Sequence, residues 1–323
     1  MKDFFNLLGW KDLIVVLLAL LIIRISIIIP FYSSWFLPAT VSWEYFIMFA
    51  FGICFILAGN NVLIQFSEEK RKVLIQNQVS TVDIKQYPDL IRLRGMWIVF
   101  WFVGAVAVVW SYAETGQNIL YLSSAIVALV LGHAYANFLR TKFLAGNIAL
   151  ALIYSSVVLS QLPNDWDMLV PLSYNFPNPT ALSWNEIFYL LIFLAALVFV
   201  LTLIRDITGD VTNTPDDKKK NYSTIGVKLG EKKSKTLLYA LSVLFILLTA
   251  VFLYYYKDGL GAVQIFIAAA IVIIPIIYYM MTLQKAQKQT DYNYLYVFLG
   301  MIYISLIFVI SFCKYLFING NIQ

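Results

Sequence analysis

Two aspartates and an asparagine in the second half of the chain have the residue types and spacing of a small metal site. Asp210, Asn213 and Asp217 stand at i, i+3 and i+7, so they share one face if a helix continues past Asp206. Grouped oxygen ligands suit Mg²⁺, which usually completes its coordination with water and a substrate phosphate. The other interpretation is a solvated loop whose acids balance nearby lysines, and Pro215 argues against an unbroken helix there.

A second candidate group surrounds a short connection between two apolar stretches. Tyr135, Arg140, Lys142, Gly146 and Asn147 lie around this turn, which holds one or two cations close to the membrane surface. Cations fixed near carboxylates can clamp a diphosphate from both sides, the acids through a metal ion and the bases directly. The alternative role for these bases is an ordinary anchor at the level of the lipid headgroups.

One arginine stands inside an apolar stretch, where an uncompensated charge is unfavourable. A centrally placed arginine costs at least ~2.5–3.5 kcal/mol on membrane-insertion scales, so we expect Arg24 to face the interior of a bundle or to snorkel. Two roles are open for it. Either it binds a polar headgroup, or it pairs with a carbonyl group or with Asn60 or Asn61.

Long apolar helices must position these residues. Apolar residues make up 61% of the 323 residues and charged residues 13%, which is typical of a membrane protein. The sequence predicts an all-α polytopic bundle of nine transmembrane helices forming a single domain over residues 1–323. Each predicted span has close to the ~20 residues needed to cross a bilayer, and the spans lie at roughly 13–31, 43–66, 96–113, 118–138, 143–161, 186–206, 236–256, 262–282 and 293–316.

The basic residues predict the topology. Nineteen of the 23 Lys and Arg residues precede the first span or follow spans two, four, six and eight. The positive-inside rule therefore places the N-terminus and two longer insertions, 67–95 and 207–235, in the cytoplasm, and the C-terminus outside. We expect a bacterial inner-membrane protein that contacts membrane lipids. The bases are not interleaved with aromatics as in a nucleic-acid-binding stripe, so no nucleic-acid partner is expected.

Two stretches of sequence and the helix arrangement resemble one known family. The stretch from Leu203 to Asn213, followed by Asp217, Thr224 and the pair Leu229-Gly230, resembles the second acidic motif of the UbiA family of intramembrane prenyltransferases. The residues from Tyr135 to Asn147 are similar to the family's short fourth connection. Nine helices with insertions after the second and sixth also look like this family, and particularly like its bacterial geranylgeranylglycerol-phosphate synthase-like branch.

The resemblance implies a specific chemistry. Members of the family bind an isoprenyl diphosphate through Mg²⁺ held between two acidic motifs, and an aromatic ring or an alcohol then attacks the allylic cation that is left. It implies Asp210, Asp217 and Lys142 as catalytic residues. The implied metal ligands are Glu68, Asp210, Asn213 and Asp217, and the expected substrate-binding residues are Arg140, Lys142, Tyr135, Asn147, Arg24, Asn60 and Asn61.

The first acidic motif departs from the family pattern. One alignment places Asn61, Ile64 and Glu68 at its three acids, and another places Gln65 and Glu68 at the first two, so no aspartate remains either way. In the second motif, Asn213 replaces an acid. Each lost carboxylate removes both a ligand and a charge from a Mg²⁺ site.

Two hypotheses for the function therefore stay open. The first is Mg²⁺-dependent prenyl transfer to a lipophilic or polar-headed acceptor. The second is a catalytically inactive, lipid-binding or scaffold subunit of a membrane complex, with a protein partner. A secondary transporter is a weaker third class, since the predicted spans lack acidic residues away from their ends and lack glycine- or proline-broken helix pairs at mid-membrane.

Overall fold

The computed structural model describes residues 2–37, 39, 41–77, 81–115, 119–163 and 183–318. Over these residues the secondary structure is helical, without strands. A short helix, Lys2–Leu8, precedes the longer ones. The longer helices are α1 Trp10–Ser34, α2 Trp43–Gln76, α3 Pro88–Glu114, α4 Ile119–Leu139, α5 Ala145–Leu159, α6 Trp184–Lys219, α7 Ile225–Tyr255, α8 Ala262–Lys285 and α9 Gln289–Lys314.

Eight of these described helices are long and apolar enough to cross a membrane. The exception is α5, whose 15 residues rise about 22 Å, less than the ~30 Å thickness of the hydrocarbon layer. The all-α membrane fold predicted from the sequence is confirmed. The count of nine spanning helices is not, because the fifth predicted span is a shorter apolar helix in the structure.

Two helices are much longer than a bilayer requires. The 34 residues of α2 and the 36 residues of α6 rise about 51 and 54 Å, so their charged ends extend beyond the apolar spans. The predicted insertions 67–95 and 207–235 therefore begin as helix. The expectation of a break near Pro215 is wrong, since α6 continues through it to Lys219. The acid-rich stretch is helical surface and not a loop.

The chain packs into two compact units, which we describe separately. Unit 1 comprises Met1–Leu17 and Val41–Arg140, and unit 2 comprises Leu18–Thr40 and Thr141–Gln323. The predicted single transmembrane domain stays a prediction. In unit 1, α2 and α3 make the most extensive contact. A Cβ added at Gly104 would lie 2.7 Å from the carbonyl oxygen of Gly52, so these two backbones meet where neither residue has a side chain.

In unit 2, α6 packs against α5, α7 and α9. Two hydroxyl pairs tie it to its neighbours: Thr208 to Tyr279 of α8 at 2.7 Å, and Thr202 to Tyr303 of α9 at 2.6 Å. Arg24 lies in a π-helical turn of α1, Arg24–Ile28, and is 2% exposed. Its expected position inside the protein is thus observed, whereas headgroup binding by Arg24 stays a prediction.

Candidate functional site

Two carboxylates of α6 converge on one amide at the start of α5. Nδ2 of Asn147 donates to Oδ2 of Asp206 at 2.9 Å and to Oδ2 of Asp210 at 3.0 Å. Asn147 is 3% exposed, so this contact is shielded from bulk solvent. All three residues belong to unit 2, and together they form the core of the candidate site.

Local backbone geometry explains how each residue reaches this point. Asp206 and Asp210 are four residues apart on α6, which places their side chains on the same face. Asn147 lies in the first turn of α5, and Leu144 before it adopts a left-handed conformation with φ of 57° that sets the start of this helix. The backbone amide of Ile225, at the start of α7, also faces the Asp210 carboxylate.

Asp217 has a different environment from the one its spacing suggested. It is 8% exposed, and its Oδ2 accepts a hydrogen bond from Oγ1 of Thr224 at 2.9 Å. Thr224 is the residue that precedes α7, and the Asp217 carbonyl accepts from the backbone amide of Tyr222 at 2.9 Å. Asp217 therefore closes the connection between α6 and α7, and its predicted roles in catalysis and metal binding stay predictions.

The start of α7 lies directly against the acidic end of α6. A Cβ added at Gly226 would lie 2.7 Å from the backbone oxygen of Asp210, and it would also overlap Oγ1 of Thr214. Only a residue without a side chain fits at this position. The close approach fixes the carboxylate of Asp210 relative to α7. Asn213, on the same helix, is exposed.

The residues predicted around the first acidic motif lie in unit 1 and bond to one another. Oε1 of Glu68 lies 2.5 Å from Nη1 of Arg140, and these side chains are 19% and 33% exposed. Arg71 donates to the carbonyl oxygen of Asn137 at 2.6 Å, and the Ser67 hydroxyl donates to the Asn137 side chain at 3.2 Å. These contacts join the end of α2 to the π-helical last turn of α4, Tyr135–Leu139.

The two asparagines of the first motif also take part in packing. Asn60 donates to the carbonyl oxygen of Ala128 at 3.0 Å and accepts from Nε1 of Trp101 at 3.1 Å, while a Cβ at Gly132 would overlap it. Asn61 donates to the carbonyl oxygen of Leu8 at 2.8 Å. The substrate-binding roles predicted for both stay predictions, and the contacts observed here are structural.

Two further predicted substrate-binding residues differ in exposure. Tyr135 is buried within unit 1, at 9% exposure, whereas Lys142 is exposed in unit 2. Neither position tests a contact with a diphosphate. Asp206 is a site residue outside the set predicted from the sequence. Its i, i+4 spacing from Asp210 is the signal that identifies it, whereas the i, i+3, i+7 pattern begins only at Asp210.

The oxygen atoms present can be compared with what Mg²⁺ requires. Among the described residues, no group of three or more His, Cys, Asp or Glu side chains could hold a metal ion. Asp206 and Asp210 nevertheless aim one carboxylate oxygen each at a single point, beside an amide that carries its own oxygen. Mg²⁺ is commonly bound by one or two carboxylates, with water and substrate phosphates filling the other positions. The residues fit that mode and not a closed protein cage.

No protein-family profile and no curated protein matches this sequence. Several solved structures match it. The chain is similar to a digeranylgeranylglyceryl phosphate synthase studied in membranes, with 18% identity, a TM-score of 0.60 and coverage of 100% of this chain and 99% of the other. It is also similar to a UbiA homologue from Archaeoglobus fulgidus bound to GPP and Mg²⁺, with 13% identity, a TM-score of 0.57 and coverage of 95% of this chain and 99% of the other. For the apo UbiA homologue from Aeropyrum pernix K1 the identity is 18% and the TM-score 0.56, with coverage of 91% of this chain and 97% of the other.

The likeness extends over nearly the whole length of both chains in each comparison. At identities below 20% it shows a shared fold, so the predicted UbiA-like helical fold is confirmed.

Proposed function

We propose that this chain is a membrane prenyltransferase of the UbiA type, which moves an isoprenyl group from its diphosphate to a lipophilic or polar-headed acceptor. The convergence of Asp206 and Asp210 on Asn147 carries this proposal. It supplies two partly buried carboxylates at the polar end of α6, in a fold shared with a UbiA homologue that binds GPP and Mg²⁺. The identities are too low to transfer that ligand set directly, so the chemistry of the residues must support it.

The roles follow from the contacts. Asp206 and Asp210 would hold Mg²⁺, and Asn147 keeps their oxygens together. When bound, Mg²⁺ would neutralise the diphosphate and make it a better leaving group. Ile225 and Gly226 position Asp210 from the opposite side through the start of α7. Roles for Glu68, Asn213 and Asp217 at the metal, and for Arg140 and Lys142 on the diphosphate, are predictions from the resemblance.

The reaction breaks one bond and forms another. The bond between the allylic carbon C1 and the diphosphate oxygen breaks, and its electron pair leaves with pyrophosphate. A carbon of an aromatic ring or a hydroxyl oxygen of the acceptor forms the new bond to C1 and loses its proton to the released pyrophosphate. Apolar walls shield the allylic cation from water until the acceptor attacks.

The test is Mg²⁺-dependent binding of geranylgeranyl diphosphate to the purified protein. We expect Asp206→Asn and Asp210→Asn each to weaken binding at millimolar Mg²⁺ by at least roughly 10–100-fold, the loss seen when even an outer-shell partner of a metal ligand is replaced. Asp216→Asn is the matched control, because Asp216 is an exposed aspartate of the same helix that contacts only the surface Lys219 among the described residues. No Mg²⁺-dependent binding by the wild type would overturn the proposal.

A second candidate function is a non-catalytic lipid-binding or scaffold subunit of a membrane complex. The observation that favours it is in unit 1, where Asn60, Asn61 and Glu68 direct their polar groups to other parts of the protein. In that case Asp210→Asn would leave the cellular role and any complex intact, and the wild type would not bind the diphosphate.

A further inference from the structure

A groove outside the candidate site lies on unit 1, where the charged ends of α2 and α3 meet the short helix Lys2–Leu8. It has a volume of about 610 Å³, within the about 300–1,000 Å³ common for ligand sites. Apolar and polar groups are separated within it. The apolar lining includes Phe4, Leu7, Leu93 and Met96, and the polar lining includes Glu69, Asp89 and Arg92.

The walls of the groove are held in place by the core of unit 1. Leu90 is 2% exposed and packs with Leu63, Phe66 and Ala136, which anchors the first turn of α3. Nδ2 of Asn77 donates to the hydroxyl of Tyr87 at 2.7 Å, which ties the end of α2 to the residue before α3. The groove therefore has two rigid walls.

The third wall is the short helix at the start of the chain. Asn61 donates to the carbonyl oxygen of Leu8 at 2.8 Å, and the next residue, Gly9, turns the chain with a φ of 66°. A Cβ at Gly9 would overlap the Asn61 side chain, so the glycine is required for this contact. Asn61, which one of the two alignments places at a family acid, thus fastens the helix that carries Phe4 and Leu7.

The charges of the groove have a distinct pattern. Glu69 already pairs with Lys72 at 2.6 Å. Asp89 and Arg92 are exposed, three residues apart on α3, and form no ion pair with each other or with other described residues. The groove thus presents one available carboxylate and one available guanidinium next to an apolar surface, at the end of a membrane helix.

We propose that this groove binds a phospholipid whose headgroup contains both a phosphate and a primary ammonium, of the phosphatidylethanolamine type. Arg92 can bind the phosphate with paired N–H donors, and Asp89 can accept hydrogen bonds from the ammonium group. A quaternary ammonium has no N–H to donate, so the groove should discriminate against phosphatidylcholine. The apolar lining contacts the upper part of the acyl chains.

The test is lipid retention by the purified full-length protein, measured by native mass spectrometry after exposure to equimolar phosphatidylethanolamine and phosphatidylcholine. We expect a roughly three- to tenfold preference for phosphatidylethanolamine, the size of one hydrogen bond of ordinary net strength, because Asp89 is exposed. Asp89→Asn should remove the preference, and Arg92→Gln should lower retention of both lipids. Arg94→Gln is the matched control, because Arg94 is an exposed arginine of the same helix outside the groove.

Equal retention of the two lipids by the wild type would overturn the proposal, as would an unchanged preference in Asp89→Asn. Free phosphoethanolamine should fail to displace the bound lipid at equal concentration, because it lacks the acyl chains. Displacement by it would show a site for the soluble headgroup instead. Gel filtration of each variant confirms that it is folded, and the assay does not depend on prenyl transfer.

Discussion

Glu68 and Arg140 form an ion pair with a 2.5 Å separation between Oε1 and Nη1. The sequence resemblance assigned them to different ligands, the glutamate to a metal ion and the arginine to a diphosphate. In the structure each neutralises the other at the junction of α2 and α4. The positive charge that a metal ion would bring to this carboxylate is supplied by the protein itself.

A double-mutant cycle measures this pair. We expect Glu68→Gln and Arg140→Gln each to lower thermal stability, and the double variant to lose less than the sum of the two single losses. The expected coupling energy is about 0.5–1 kcal/mol, because both side chains are partly exposed. Apparent unfolding temperatures in detergent provide the measurement. The control cycle is Glu69 with Lys72, a more exposed pair with side chains 42% and 52% exposed, where we expect a smaller coupling. Equal coupling in both cycles would contradict the structural role of Glu68.

Replacing Asn147 should change how strongly Mg²⁺ stabilises the protein. Asn147→Ala removes the donor between the carboxylates of Asp206 and Asp210, leaving two partly buried acceptors facing each other. We expect a loss of about 1–3 kcal/mol without metal, and a larger stabilisation by millimolar Mg²⁺ than in the wild type. Thermal unfolding with Mg²⁺ and with EDTA tests this. If Mg²⁺ stabilises neither protein, these carboxylates do not form a metal site.

Asp217 and Thr224 should contribute to the stability of the protein as one hydrogen-bonded pair. Thr224→Val removes the donor to the Asp217 carboxylate without changing any proposed metal ligand. If Asp217 acts by closing the α6–α7 connection, Asp217→Asn and Thr224→Val should lower stability by similar amounts, about 1–3 kcal/mol, and the double variant should lose little more. If Asp217 instead binds the metal, Asp217→Asn should weaken Mg²⁺-dependent diphosphate binding far more than Thr224→Val does.

Replacing each of two glycines of α3 by alanine should have opposite effects on stability. Gly104→Ala places a methyl group 2.7 Å from the Gly52 carbonyl oxygen, and we expect it to separate α2 from α3 and to destabilise unit 1 by about 1–3 kcal/mol. Gly95→Ala is the matched control, since a Cβ there has nothing within 4 Å. It should raise stability by up to about 1 kcal/mol through helix propensity. Equal effects on unfolding temperature would contradict the close packing of α2 and α3.

The topology predicted from the basic residues remains to be measured. A reporter fused after Gln323 should be active only outside the cytoplasm, because nineteen basic residues lie on one predicted side and Lys257 and Lys314 on the other. A reporter fused at Lys85 should give the opposite result. Cytoplasmic activity of the C-terminal fusion would show that an even number of helices crosses the membrane.

The sequence by itself determined the class of protein and the positions of its helices, because span length and hydropathy are local properties of consecutive residues. It also predicted that Asp210, Asn213 and Asp217 share one helix face, since i, i+3 and i+7 spacing on a helix is local as well. It overestimated the effect of Pro215. A proline lacks one backbone donor, but α6 continues through it to Lys219, with Thr208 bonded to Tyr279 before the proline and Asp217 bonded to Thr224 after it.

Only the tertiary structure decided which side chains meet. The amide of Asn147 reaches carboxylates 59 and 63 residues away, Asn60 bonds to a carbonyl group 68 residues away, and the backbone of Gly104 meets that of Gly52. Residue spacing carries no information about such pairs, because they depend on how separate helices pack. The physical reason is that a buried polar group must find a partner, and helix packing determines which partner is within reach.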